Sequence, residues 1–100
     1  MKINLRIHYN TTLGQQICVC GSTKPLGNGD VSKAVKLMHL THGHWTITFT
    51  VPANTKRLEY KYVFIDEQGN RTREWGDERT INVSEQNAPI IFSQDQWRSP

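Results

Sequence analysis

Cysteine is scarce in this chain: 100 residues contain two, Cys18 and Cys20. Two such residues cannot build the disulfide framework of a small secreted scaffold. On a strand their side chains share a face with Cα atoms roughly 6.6 Å apart, at the far edge of disulfide geometry. The pair is therefore expected to be reduced, as in a cytoplasmic protein. A zinc site is excluded as well, since no second Cys or His pair stands at ligand spacing. Long apolar runs are missing: no stretch of 18 apolar residues occurs and no apolar leader core follows Met1, so neither a membrane span nor a signal peptide is expected. The sequons at Asn10, Asn70 and Asn82 are then coincidental. Like-charge blocks are missing too. Twelve Lys and Arg and nine Asp and Glu leave a net charge of +3, scattered along the chain, which gives no footprint for nucleic acid.

What remains is enough for one folded domain. Hydrophobic residues make up 36%, too apolar for disorder, and a chain of this length buries roughly two thirds of its unfolded surface. Period-two alternation dominates. Ile3, Leu5, Ile7 and Tyr9 share one face, and Asn10 to Gly14 reads as a turn or loop. Gln16 to Gly21 is a second strand, followed by a loop to Asp30. Ala34 to Leu40 alternates weakly, and Val31 to Met38 holds one helical turn at most. Trp45, Ile47, Phe49 and Val51 alternate with threonines, which places Trp45 in the core. Tyr60, Tyr62 and Phe64 oppose Glu59, Lys61, Val63 and Ile65. Asp66 to Asn70 makes a hairpin turn, Arg71 to Glu74 and Thr80 to Val83 are short strands, and Ala88 to Phe92 is the last. The expected fold is all-β, an antiparallel immunoglobulin-like β-sandwich of seven or eight short strands.

Chemistry-bearing patterns are few. No nucleophile elbow, P-loop or dinucleotide fingerprint occurs. Gly27-Asn28-Gly29-Asp30 lacks a following helix and reads as a turn. The carboxylates Asp66, Glu67, Glu74, Asp77, Glu78, Glu85 and Asp95 fall mostly in turns, with none paired at glycosidase separation. The chain is expected to be no enzyme, with no cofactor and no metal. His39, His42 and His44 surround Gly43, but no helix, cysteine or carboxylate completes a ligand set, so they read as a polar loop. Trp75 stands among charges where no alternation assigns it to the core. Two readings stand: a structural cap on the sandwich, or a flat face for an apolar partner such as a sugar ring. Lys61 lies amid the aromatics of its strand, either as a solvated side chain or as a donor of up to three hydrogen bonds to hydroxyls. Trp97 either packs back on the sandwich or contacts a neighbouring domain.

The order of short motifs resembles carbohydrate-binding module family 20, the starch-binding modules, through almost the whole chain. The matching residues are Tyr9 to Gln15, Val19-Cys20-Gly21-Ser22, Leu26-Gly27-Asn28-Gly29-Asp30, Lys33-Ala34-Val35, Trp45-Thr46-Ile47, Glu59-Tyr60-Lys61-Tyr62, Glu74-Trp75 and Arg79-Thr80. The resemblance implies binding of starch, glycogen or maltooligosaccharide, with Trp75 as a stacking tryptophan and Lys61 as the lysine beside it. The family's first stacking tryptophan is replaced by Gly29, and the aromatic of its second site by Leu13. The details most resemble the first of two tandem modules in a modular 4-α-glucanotransferase of glycoside hydrolase family 77. That implies a module over residues 1–97, a linker beginning at 98–100, and partners in a second module and a catalytic barrel downstream. The competing reading is a degenerate module that no longer binds glucan and docks other domains or subunits.

Overall fold

The computed structural model describes residues 1–86 and 88–99. Among them nine strands run β1 (Lys2–His8), β2 (Gln16–Gly21), β3 (Val35–Lys36), β4 (Met38–His39), β5 (His44–Thr50), β6 (Arg57–Ile65), β7 (Arg71–Arg73), β8 (Arg79–Asn82) and β9 (Ile90–Gln96). One sheet has the order β4-β5-β1-β9; the other has β3-β2-β6-β7, with β8 also paired to β6. The expected sandwich is present.

The inner faces follow the alternation. Register sets Ile3 opposite Phe49, Leu5 opposite Ile47 and Ile7 opposite Trp45, so the apolar sides of β1 and β5 coincide. Facing them from the second sheet are Ile17, Val19, Leu58, Tyr60 and Tyr62, all in the same buried cluster. Burying large aliphatic and aromatic side chains is worth about 1.5–3 kcal/mol each, and this layer is the main source of cohesion.

Three features depart from the sequence reading. β1 and β9 run parallel, from Lys2 beside Ile90 to His8 beside Gln96, because alternation fixes which face a residue takes and not the direction of its partner. The weak segment from Ala34 to Leu40 splits between the sheets: β3 joins β2, β4 joins β5, and Leu37 between them is buried. The last strand is shifted, running to Gln96 instead of ending at Phe92.

A short segment then covers the outside of the second sheet. The Asp30 carboxylate accepts from the Ser32 amide at 3.0 Å and the Ser32 hydroxyl at 2.7 Å, starting a 3-10 turn at Val31–Lys33. Val31 and Ala34 pack on Cys18, Cys20 and Val63. Both thiols are free and buried. Entry to this cover depends on Gly27, whose φ is +83° and whose added Cβ would lie 2.7 Å from the Lys33 carbonyl oxygen. Gly27→Ala is expected to destabilise the domain by about 2 kcal/mol through left-handed strain and this clash. Gly29→Ala, with equal strain but open space around the Cβ, should cost less; paired urea titrations compare them.

Candidate functional site

The candidate site grows from the β6–β7 hairpin. Asp66 closes its turn by accepting from the amides of Gln68 at 3.0 Å and Asn70 at 2.8 Å. From there the register runs Ile65 to Arg71, Phe64 to Thr72 and Val63 to Arg73. One further step holds: the Glu74 amide donates to the Tyr62 carbonyl at 3.1 Å, and the Tyr62 amide donates to Glu74 Oε1 at 3.2 Å. The next pair in register is Lys61 with Trp75, and here the ladder stops. The Trp75 amide donates instead to the Arg98 carbonyl at 3.1 Å, while Lys61 Nζ donates to the carbonyl of Gly76.

Beneath this point the strand is anchored. Tyr60 and Tyr62 turn inward edge to face at 5.7 Å, and their hydroxyls donate to Asp95 Oδ2 at 2.9 and 2.7 Å. Burial, above all, and the Asp95 charge push both phenols well above their ordinary range, so they remain neutral donors. Glu74 is 2% exposed. It receives Arg79 in a two-pronged pair at 2.8 Å for each contact and Arg98 Nε at 3.4 Å. Burial alone would raise the Glu74 carboxyl, but Arg79, the Tyr62 amide and Arg98 together hold it below the usual carboxylate range.

On the outer face, Lys61 borders a hollow of about 160 Å³. Gly21 and Ser22 line it from the end of β2, Gly29 and Val31 from the covering loop, Glu59 and Lys61 from β6, and Arg73 and Glu78 from either end of the β7–β8 connection. Two cations and two carboxylates therefore face one small space, a mixed set of donors and acceptors suited to a neutral polyhydroxylated ligand. Cys20 lies at its floor; burial first, then the charges of Glu78 and Asp30, raise its pKa, which makes it a poor nucleophile.

The two residues singled out in the sequence are neighbours with different surroundings. Lys61 lines the hollow. Trp75 is 61% exposed on the adjoining turn and is not among the lining residues. Arg73, Glu59 and Glu78 are lining groups that the sequence reading left out. Counting pairs outward from the Asp66–Asn70 turn would have found Arg73, since it sets this arginine opposite Val63, two residues from Lys61 on the same face.

Comparison with known proteins settles the family. The model of the starch-binding domain matches residues 1–92. The chain belongs to the starch-binding domains, carbohydrate-binding module family 20. An α-amylase of Streptomyces violaceus is 42% identical over 73 residues, which cover 73% of this chain and 13% of the relative. Glucoamylase-1 of Schizophyllum commune is 34% identical over 97 residues, 96% of this chain and 16% of the relative. The module thus spans less than a fifth of the length of these relatives. In structure it resembles the glucoamylase of Hypocrea jecorina, with a TM-score of 0.82 and 26% identity over 98% of this chain and 17% of the other. The family 20 module of a maltotetraose-forming amylase from Pseudomonas saccharophila shares the fold, with a TM-score of 0.76 and 17% identity over 97% of this chain and all of the other. As a starch-binding module the chain is non-catalytic.

The remaining expected positions of the starch-binding module are well separated. Gly29 borders the Lys61 hollow. Leu13 is 99% exposed at the tip of the first loop, beside a shallow groove lined by Thr11, Thr12, His39 and Trp45. Two of the three loop histidines are engaged in packing, His39 against Trp45 at 4.6 Å and His44 against His8 at 4.9 Å, while His42 is exposed. No group of three or more metal-ligating side chains occurs among the described residues. Trp97 packs back, stacked on Tyr9 at 5.0 Å and edge-on to Phe64 at 6.5 Å. Arg98, in the expected linker, contacts Glu74 and the Asp77 carbonyl; Pro100 lies outside the described residues. Among the described residues no helix is long and apolar enough to cross a membrane.

Proposed function

We propose that this module binds α-1,4-glucan by stacking one glucose ring on Trp75, with Lys61 and the adjoining hollow hydrogen-bonding neighbouring hydroxyls. The observation that carries the reading is the join between the two: Lys61 bonds the carbonyl of Gly76, the residue after an exposed Trp75. That contact uses one of three ammonium donors, leaving two for a ligand. An apolar ring face plus a few hydrogen bonds that compete with water gives weak binding, with Kd on the order of 0.1–1 mM. Leu13 and Gly29 supply no ring face, so a single platform carries the affinity.

Titration of labelled protein with maltoheptaose, followed by amide and indole N–H shifts, tests the reading. Saturable shifts at the Trp75 indole and around Lys61 are expected. Shifts confined to the Leu13 groove would move the site there, and none at millimolar ligand would leave a docking module without glucan affinity.

The parent protein in this proposal is a cytoplasmic 4-α-glucanotransferase in which the module is followed by a second module and a catalytic barrel. Support comes from the sequence order Val19-Cys20-Gly21-Ser22, then Leu26 to Lys33, and from two free, buried thiols. The whole protein would release glucose from maltose only while a branched glucan accepts the other unit. Simple hydrolysis of starch would point instead to a parent like the amylase and glucoamylase relatives.

A further inference from the structure

We infer that Arg98 is a positioning residue for the glucan platform: it holds the Trp75–Asp77 turn in the place that the proposed stacking requires. The inference rests on the glucan reading of Trp75. Its basis is the route taken by the chain where the β6–β7 ladder ends. Simple continuation of the hairpin would pair Trp75 with Lys61, and the turn avoids this through contacts to one residue from the far end of the chain. The Arg98 carbonyl accepts from the Trp75 amide at 3.1 Å. Its guanidinium donates through one terminal nitrogen to the Asp77 carbonyl and through Nε to Glu74 at 3.4 Å. Gly76, between those anchors, has a φ of +98°, and a Cβ there would meet Arg98 Nη1 at 3.4 Å. The guanidinium is thus packed under the turn as well as bonded to either side of it.

Lys61 fixes the same turn from β6 through Gly76. Trp75 is therefore mounted on three residues held from two directions, and Lys61 alone cannot set it, because its single contact leaves the turn free to pivot about one carbonyl. A rigid mount matters for a weak site, since ordering a loop on binding subtracts directly from a small binding free energy. Arg98 is itself placed by Trp97, which stacks on Tyr9. The end of the last strand thereby takes part in shaping a surface built mainly from β6 to β8.

The test uses the full chain and three variants, Arg98→Ala, Arg98→Lys and Trp75→Ala. Backbone relaxation in the free protein is measured at Gly76 and Asp77, together with Kd for maltoheptaose. Arg98→Ala is expected to lower the order parameters at Gly76 and Asp77 from about 0.85 to below about 0.6 and to weaken binding about tenfold, with amide shifts in β1 and β5 unchanged. Arg98→Lys keeps the charge but lacks the fork that reaches Glu74 and Asp77 together, so it should recover less than half of the loss on a logarithmic scale. Unchanged order in Arg98→Ala, or lost order with unchanged affinity, overturns the inference. Full rescue by lysine overturns it too, leaving only a charge effect. The glucan reading fails separately: Trp75→Ala would then bind as wild type, or wild type would not bind, while the relaxation data in the free protein still decide whether Arg98 orders the turn.

Discussion

Replacing Glu74 by alanine is expected to lower the free energy of unfolding by about 3–5 kcal/mol, the usual cost of removing one member of a buried charge cluster. The side chain is fully buried, that of Arg79 is 16% exposed, and their pairing is supported by the Tyr62 amide and Arg98. Alanine would leave Arg79 with the Gln96 carbonyl and the more distant Asp95, 3.4 Å away, and the Tyr62 amide without its side-chain acceptor. Urea unfolding at neutral pH measures the loss, and a change below about 1 kcal/mol would show that the cluster contributes little net stability. The same carboxylate makes the module acid-sensitive. Its native pKa lies below the ordinary 4.5, so the unfolded chain binds the proton first as pH falls. The contribution is complete above the ordinary value and is lost as pH falls from there through the lower native one. Unfolding midpoints between pH 7 and 3 should decline in that window for wild type, and more shallowly for Glu74→Gln, which has no carboxylate at this position to titrate.

Trp75→Ala is expected to weaken glucan binding at least tenfold and to leave the fold intact. Both halves follow from the position of the ring. It is mostly exposed, so truncation removes little packing, and surface changes of this kind usually stay within about 0.5 kcal/mol of wild-type stability. The stacking face is the sole aromatic platform of the proposed site, so its loss removes the apolar part of a binding energy of only about 4–5.5 kcal/mol. Calorimetric titration with β-cyclodextrin, beside a thermal melt, separates the two. A variant that unfolds would make Trp75 a structural element, and one that binds normally would move the site elsewhere.

The layers of this fold are legible in the sequence, and its edges are not. Ile3, Leu5 and Ile7, or Trp45, Ile47 and Phe49, repeat every second residue, and a half-buried strand leaves that signature because its side chains alternate between core and solvent. Pairing direction leaves no such trace, so the parallel β1–β9 contact emerges only in three dimensions. The segment around Leu37 misleads because two-residue strands are too short to show a period, and the chain changes sheets between them.

Around the candidate site the sequence is partly readable. Lys61 stands out because it interrupts a run of aromatics, and its strand carries it to the outer face. Glu74 is hidden by its own chemistry: a carboxylate between an arginine and a tryptophan reads as solvated, and its partners lie 5 and 24 residues away. Arg73 is obscured in another way, since its placement in the hollow depends on hairpin register. Trp75 shows both sides of the problem. Its isolation from any apolar pattern correctly marks it as exposed, but its place outside the hollow and its amide contact with Arg98 are announced by no local pattern.

The parallel pairing of β1 and β9 also determines how the domain bears tension. Residue 2 lies beside residue 90 and residue 8 beside residue 96, so the two chain ends leave opposite ends of the same strand pair. A force drawing Met1 and Trp97 apart acts along these strands and loads their ladder in shear. Its hydrogen bonds share the load instead of opening one after another, as they would if a hairpin were peeled from its end. The module is in this respect a mechanical link, with its resistance to tension between its two ends set by the parallel ladder of β1 and β9.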